Sequence, residues 1–259
     1  MDILIVPDAH ARKNVSNRRF TWLGKAIVDL KPDVLLCLGD WFDMPSLSSY
    51  DGSMLTGAKR QKLSFEGRRY TDDVGAGVEA LDRLQQEFNK AAKARPRRMF
   101  LVGNHEDRVS RAFNNVPELA GVLSEKDFQL DSYGWETYPF LEPAEVGGFV
   151  AQHYFVSGLL GRPIGGESHA RSLLMRTHES SIQGHTHLWD FHQHTTPRGI
   201  RKQAFVCGWF GDPTQKENYA APSQHMWCGG VTLLQGVEKG AATSGFRFIS
   251  TKELERAYG

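Results

Sequence analysis

Three short apolar runs, each closed by a polar cluster of one chemical kind, constrain this chain more than any other feature. "DILIV" leads into Asp8 and His10, "KPDVLLCLGD" into Asp40 and Asp43, and "MFLVG" into Asn104, His105, Glu106 and Asp107. Short apolar runs bounded by turn residues read as buried strands. Between the first two, "NRRFTWLGKAIVDL" sets Phe20, Leu23, Ile27 and Leu30 at helical spacing, and before the third a helix is expected from about Asp72 to Ala94, with Val74, Val78, Leu81, Leu84 and Phe88 inward. Strand, helix and strand repeated in this way predict a sheet that begins parallel.

After about residue 135 the pattern becomes strand-rich: "GFVAQHYFVSG", "SSIQGHTH", "KQAFVCGWF", "WCGGVTLL" and "GFRFIS", with one helix expected in "ESHARSLLMRTHE". Two mixed sheets packed together and flanked by helices, an α/β sandwich, satisfy both halves. With 259 residues and no linker-like stretch, a single domain is expected. One segment fits neither pattern. The connection from Met44 to Gly75 is polar and carries Lys59, Arg60, Lys62, Arg68 and Arg69, with Phe65 and Tyr70 among them. A loop that long is usually functional, and this one reads either as a solvated loop or as a track for a phosphate backbone.

A formal net charge of +1 excludes a broad cationic coat for nucleic acid, although not a local basic groove. The three cysteines form no C-x-x-C pair and their odd count argues against a disulfide framework, so each is expected to be a small buried residue in a reducing compartment. The opening apolar run is too short for a signal peptide and no run of about 18 apolar residues occurs, so a cytoplasmic protein without membrane contact is expected.

Ligands of open α/β sheets gather at the carboxyl ends of strands, so the three polar clusters should converge in space. Later strands add His153 in "VAQHYF" and His185 and His187 in "IQGHTH". Asp8 with His10, and His185 with His187, stand two apart, which in extended backbone turns both side chains of a pair the same way. The set is imidazole, carboxylate and carboxamide with no thiolate. Such ligation suits Mn²⁺, Fe or Zn²⁺ in open sites better than a closed structural zinc. Seven ligands are too many for one ion and suffice for two that share a carboxylate, an arrangement recurrent in phosphoryl transfer.

The ordered series D-x-H (Asp8, His10), G-D-x-x-D (Gly39, Asp40, Asp43), G-N-H-E (Gly103 to Glu106), a strand-borne His153 and G-H-x-H (Gly184, His185, His187) resembles the calcineurin-like metallophosphoesterase family over residues 8 to 187, and the remainder resembles that fold's second sheet. The resemblance implies a metallophosphoesterase-type sandwich over residues 1–259, with the basic loop at 44–75 inserted. It implies that Asp8, His10 and His187 hold one ion, that Asn104, His153 and His185 hold the other, and that Asp40 bridges. It further implies that His105, oriented by Asp43, acts as general acid or phosphate donor, a role for which a carboxylate partner would fix the tautomer and raise the pKa. The implied activity is hydrolysis of phosphate esters by a metal-bridging hydroxide, with Mn²⁺ foremost and Fe, Zn²⁺ or Ni²⁺ as alternatives. Nucleotides or nucleic acid, DNA or RNA, are the favoured substrates, by similarity to compact phage and bacterial phosphoesterases near the DNA-repair nucleases.

Two departures stand out. Met44 occupies the position where the family's protein Ser/Thr phosphatases carry a phosphate-clamping arginine, and Tyr154 follows His153 where glycine is common. The first weakens the protein-phosphatase alternative; the second leaves His169 or His178 as substitutes for His153. Arg12 and Arg108, each close to a ligand, are candidates for the phosphate clamp. Glu106 and Asp107 read equally as supports of the site or as solvated carboxylates. His192 and His194 read as a strand face leaving the site. A metal-bearing scaffold that binds a partner and hydrolyses nothing is the reading from another class, and the intact His105 speaks against it.

Overall fold

Alternation along the first strands decides which layer lies on which side. In the computed structural model, which describes residues 1–48, 67–91, 95–217 and 220–259, strands β1 (Ile3–Val6), β2 (Val34–Cys37) and β3 (Arg97–Leu101) are parallel neighbours. Ile3, Ile5, Leu36, Met99 and Leu101 join one core, and Leu4, Val6, Leu35, Cys37 and Phe100 join another. The period of two in side-chain direction makes both faces apolar, so both must be covered. Helices α1 (Arg18–Leu30) and α2 (Tyr70–Lys90) cover the second face with Phe20, Leu23, Ile27, Leu81, Leu84 and Phe88. Each such side chain, fully withdrawn from water, contributes about 1.5–3 kcal/mol.

The first face is covered by a second sheet. Strand β4 (Glu136–Tyr138) continues the first sheet in parallel beyond β3, and its other side is extended antiparallel by β12 (Gly230–Glu238) and β13 (Ala241–Ser250), giving the order β13-β12-β1-β2-β3-β4. The second sheet contains β5 (Ala144–Val146), β6 (Phe149–Ala151), β9 (Ser181–Gln183), β10 (Trp189–Thr195) and β11 (Arg201–Cys207), in the order β10-β11-β9-β6-β5. Its central pairs β11-β9 and β9-β6 are parallel and its outer pairs antiparallel. Val146, Phe149, Ala151, Ile182, Phe205 and Cys207 meet the first sheet in the core between the two. On the far side, helix α4 (His169–Thr177) places Ala170, Leu173 and Leu174 over Ala204 and Val206. The expected single α/β domain of two mixed sheets flanked by helices is what forms. Helix α3 (Arg108–Asn115) follows the third polar cluster, and α5 (Thr251–Tyr258) ends the chain with Leu254 against the helix-side core.

Three local expectations need correction. Helix α2 starts at Tyr70 and stops at Lys90, because Arg69 and Ala91 are both extended; its residues from Tyr70 on therefore belong to the helix and not to the 44–75 connection. Within it Ala76 and Ala80 are buried, whereas Val74 and Val78 are only partly so. The run "GFVAQHYFVSG" is not one strand. β6 stops at Ala151, and a separate hairpin of β7 (Val156–Ser157) and β8 (Arg162–Pro163) follows His153. Lys59, Arg60, Lys62 and Phe65 lie outside the described residues. Cys37 and Cys207 are buried, and Cys228 is half-buried. Among the described residues no helix is long and apolar enough to cross a membrane.

Candidate metal centre

The loops leaving β1, β2, β3, β6 and β9 meet at one end of the sandwich, where Asp8, His10, Asp40, Asp43, His105, His153 and His187 are all buried. They do so through tight backbone, not extended backbone. Asp8, His10, Asp40, His185 and His187 have φ of 37°, 46°, 51°, 68° and 61°. The expectation that each pair two apart would point one way from extended chain is thus replaced by turns. The first two loops are laced together by His10 N–H to the Asp40 carbonyl (2.8 Å) and Ala11 N–H to the Trp41 carbonyl (2.7 Å). Two glycines make room for carboxylates: a Cβ at Gly103 would lie 2.2 Å from Asp40 Oδ1, and one at Gly184 would lie 2.3 Å from Asp8 Oδ2. Both Asp8 oxygens accept the N–H of His185 (3.0 and 2.9 Å), which ties the last loop to the first.

Among the described residues three groups of side chains could each hold a cation, one of them His10, Asp43 and His105. Asp8, His10 and His187 bring ligand atoms within 4.8 Å of one another, and so do Asp40, His153 and His185. His185 and His187 go to different groups. Asp40 Oδ2 faces both, 3.7 Å from His10 Nε2 and 3.4 Å from His153 Nε2. Asn104 Oδ1 lies 2.9 Å from His153 Nε2, beside the second group. His169 and His178 enter none of the three groups. His169 is the buried first residue of α4, 2.6 Å from the Ile164 carbonyl, and His178 closes that helix. His192 and His194 lie on β10, outside the cleft.

The donor atoms fit cations. Among the described residues both ring nitrogens of His10 are buried with no hydrogen-bond partner, a costly state unless something binds there. His153 Nδ1 lies 2.8 Å from the Leu38 carbonyl, so that nitrogen donates and Nε2 is left aimed at two oxygens, an orientation typical of a metal-ligating imidazole. The electrostatics agree. Burial opposes charging His153, yet Asp40 and Asp8 push it up to about 9, and His10 is raised by Asp40 and Asp43 against the same opposition. Burial also opposes ionisation of Asp40, but His105, His153 and His10 hold it well below the usual carboxylate range, and His187 lowers Asp8. Burial and the neighbouring His153 push His185 down to about 3, and burial lowers His187. The buried carboxylates draw positive charge onto the nearest imidazoles.

A sign for metal loading follows. Below about pH 9 the metal-free His153 carries a proton that a cation must displace, so binding releases protons and affinity rises with pH, about tenfold per unit per proton, levelling off above pH 9. Calorimetry of Mn²⁺ binding at pH 7 in buffers of different ionisation heat reads that release. Affinity independent of pH, with no protons released, would exclude His153 as a ligand.

Beside the two groups stands a proton-handling pair. His105 Nδ1 is 2.7 Å from the Asp43 carbonyl and 3.1 Å from Asp43 Oδ1, which fixes Nδ1 as the donor; Nε2 faces Asp40 Oδ2 at 3.7 Å. Asp43 sets the tautomer, but the expected rise in pKa does not follow: burial, helped by Arg108 and His10, outweighs the upward pull of Asp40 and Asp43, and the net shift is downward. Arg12 grips Asp43 Oδ2 through Nε and Glu217 through its other arm (2.8 Å). Arg108 donates to the Asp43 and Met44 carbonyls at 2.8 and 3.1 Å.

Glu106 and Asp107 part company. Glu106 is wholly buried and accepts three backbone N–H groups, those of Asp40, Phe42 and Gly103, each at 2.9 Å. It joins the loops after β2 and β3, and burial with nearby Asp40 pushes it up to about 7. Asp107 pairs with Arg111 at 2.9 Å.

A cleft of about 670 Å³ opens over the centre. Arg12, Arg108 and Arg111 line it together with Phe140, Tyr154, Pro163 and Trp227. Tyr154 packs 4.5 Å from the His185 ring, and Trp227 stands edge-on to His187 at 4.1 Å. Sequence reasoning missed Arg111, Phe140, Glu217 and Trp227. Arg111 carried a signal, lying on the same helical face as Arg108; the other three carried none, since they reach the site from distant loops.

No protein-family model matches the chain. No curated protein matches it either. Among solved structures, it is similar to Yfce, a phosphoesterase from E. coli, at 13% identity and a TM-score of 0.41, over 96% of this chain and 97% of that one.

Proposed function

We propose that this chain is a metal-dependent hydrolase of phosphate esters, a calcineurin-like metallophosphoesterase domain over residues 1–259, acting in the cytoplasm on nucleotides or nucleic acid. The observation that carries the reading is Asp40 Oδ2 placed between two His-containing groups, with His105 at its side. Asp8, His10 and His187 would hold one divalent ion, Asn104, His153 and His185 the other, and Asp40 both. Two such ions, Mn²⁺ foremost, would supply charge neutralisation at the phosphoryl oxygens and an activated water.

The chain's own groups do the rest. Asp43 holds His105 in one tautomer, leaving Nε2 turned toward Asp40 and the cleft. An anionic ester arriving there adds the negative charge that draws a second proton to Nε2, and that proton is delivered to the leaving oxygen. Arg12 and Arg108 line the same cleft and, anchored by Asp43 and Glu217 or by backbone carbonyls, orient the phosphate. Met44, where a protein phosphatase carries its clamping arginine, is buried in the helix-side core.

His105→Asn should leave metal content intact and lower turnover by about 10²–10⁴-fold, most for esters with poor leaving groups. Comparing aryl and alkyl esters alongside elemental analysis checks this. Loss of bound metal instead would make His105 a ligand, which its grouping with His10 and Asp43 also permits. A metal-loaded wild-type chain inert toward aryl monoesters, aryl diesters, nucleotides and DNA would leave the binding-scaffold reading in its place.

A further inference from the structure

Beside the main cleft lies a second cavity of about 240 Å³, lined by Arg12, Lys13, Pro45, Arg68 and Arg69 together with Asp72 and Asp73. Arg12 and Pro45 line both cavities, so the two adjoin. The boundary is fixed: Arg12 is held by Asp43 and Glu217, and Arg68 donates to the Pro45 carbonyl at 3.0 Å. Cations outnumber acids along the lining, Arg12, Lys13, Arg68 and Arg69 against Asp72 and Asp73. Asp73 accepts the Ser46 N–H at 2.8 Å, and Asp72 pairs with Lys13 at 2.7 Å in a solvent-exposed contact. Such pairs are weak in water, and Lys13 can turn from it to a phosphate.

We propose that this groove is a subsite for a phosphate downstream or upstream of the one being cleaved, so that the substrate is a single-stranded oligonucleotide and not a mononucleotide. The proposal rests on the phosphoester-hydrolase reading given above. A mononucleotide spends its phosphate at the metal centre and has none left for Lys13 and Arg69; a strand supplies both. Another part of the main cleft's lining suits the rest of a strand. Phe140 and Tyr154 pack against each other at 5.7 Å, with Tyr154 on the His185 side of the centre, and present aromatic surface on which unpaired bases can stack.

The test compares wild type with the double variant Lys13→Glu, Arg69→Glu, both Mn²⁺-loaded, on a small aryl diester, a dinucleotide and a single-stranded dodecanucleotide. Among the described residues Lys13 pairs with Asp72, and neither Lys13 nor Arg69 forms a hydrogen bond or ion pair with the groups at the metal centre, so the aryl diester should be turned over equally by both proteins. For wild type, kcat/KM should rise about tenfold or more from dinucleotide to dodecanucleotide, and the variant should lose that rise together with about one to two units of salt slope. Equal length dependence and equal salt slope in the two proteins would overturn the proposal. Fluorescence anisotropy with a labelled phosphorothioate dodecanucleotide keeps the groove testable without turnover. Binding weakened about tenfold in the variant supports it and unchanged binding overturns it, whereas a wild type that turns over no ester, the aryl diester included, counts against the hydrolase reading alone.

Discussion

Asp40→Asn is expected to lower Mn²⁺-supported hydrolysis of an aryl phosphodiester by about three orders of magnitude or more and to strip metal from the protein. The exchange keeps the volume of the side chain and the oxygen that accepts the His105 N–H at 2.8 Å. It removes the charge. Oδ2 of Asp40 is the atom common to His10, His105 and His153, at 3.7, 3.7 and 3.4 Å, and it dominates the field that raises His153. Without it the second group has no anion of its own, and two dications brought close together have no shared counter-charge. Steady-state rates with elemental analysis decide the matter, and a circular dichroism spectrum like that of wild type separates loss of chemistry from loss of fold. Turnover within about tenfold of wild type at full metal content would overturn the shared-carboxylate assignment.

The largest effect on stability is expected at Glu106. Its two oxygens are the partners of three backbone N–H groups in a place water does not reach. Glu106→Ala leaves all three unpaired at about 1–3 kcal/mol each, so a loss of about 4 kcal/mol or more is expected, seen as a fall of about 10 °C or more in Tm. Glu106→Gln retains one oxygen and the volume, and should fall between alanine and wild type. Thermal unfolding followed by circular dichroism reads both. An alanine variant that melts within about 3 °C of wild type would mean that the loops after β2 and β3 do not depend on this carboxylate.

What could be read from the sequence, and what could not, divides along physical lines. Strand positions were legible because a buried strand is an uninterrupted apolar run, and the meeting of Asp8, Asp40 and Asn104 was legible because parallel strands deliver their carboxyl ends to one edge. The side of the sheet taken by β12 was not, since nothing local in "GGVTLL" states its partner; only the register with β1 does. Spacing by two suggested extended pairs at Asp8 with His10 and at His185 with His187. The positive φ at all four escaped it, because that conformation is imposed by bonds such as His10 N–H to Asp40 and His185 N–H to Asp8, which join distant segments. Arg12 was visible as a basic residue near a ligand; its anchor Glu217, 205 positions away, was not. The direction of the His105 shift was misjudged for a related reason: a carboxylate neighbour can be inferred from a motif, but the depth of burial that outweighs it cannot.

The left-handed turns at the centre have a wider meaning. Asp8, His10, Asp40, His185 and His187 all hold a conformation that side chains with a Cβ resist, at about 1–3 kcal/mol apiece. Glycine would sit there more comfortably and would ligate nothing. Relaxed backbone and a side chain able to ligate therefore pull in opposite directions at the same five positions. A descendant that drifted toward glycine at these turns would shed that strain and, at Asp8 and Asp40, would also lose the carboxylates that accept the His185 and His105 N–H groups and tie one loop to another.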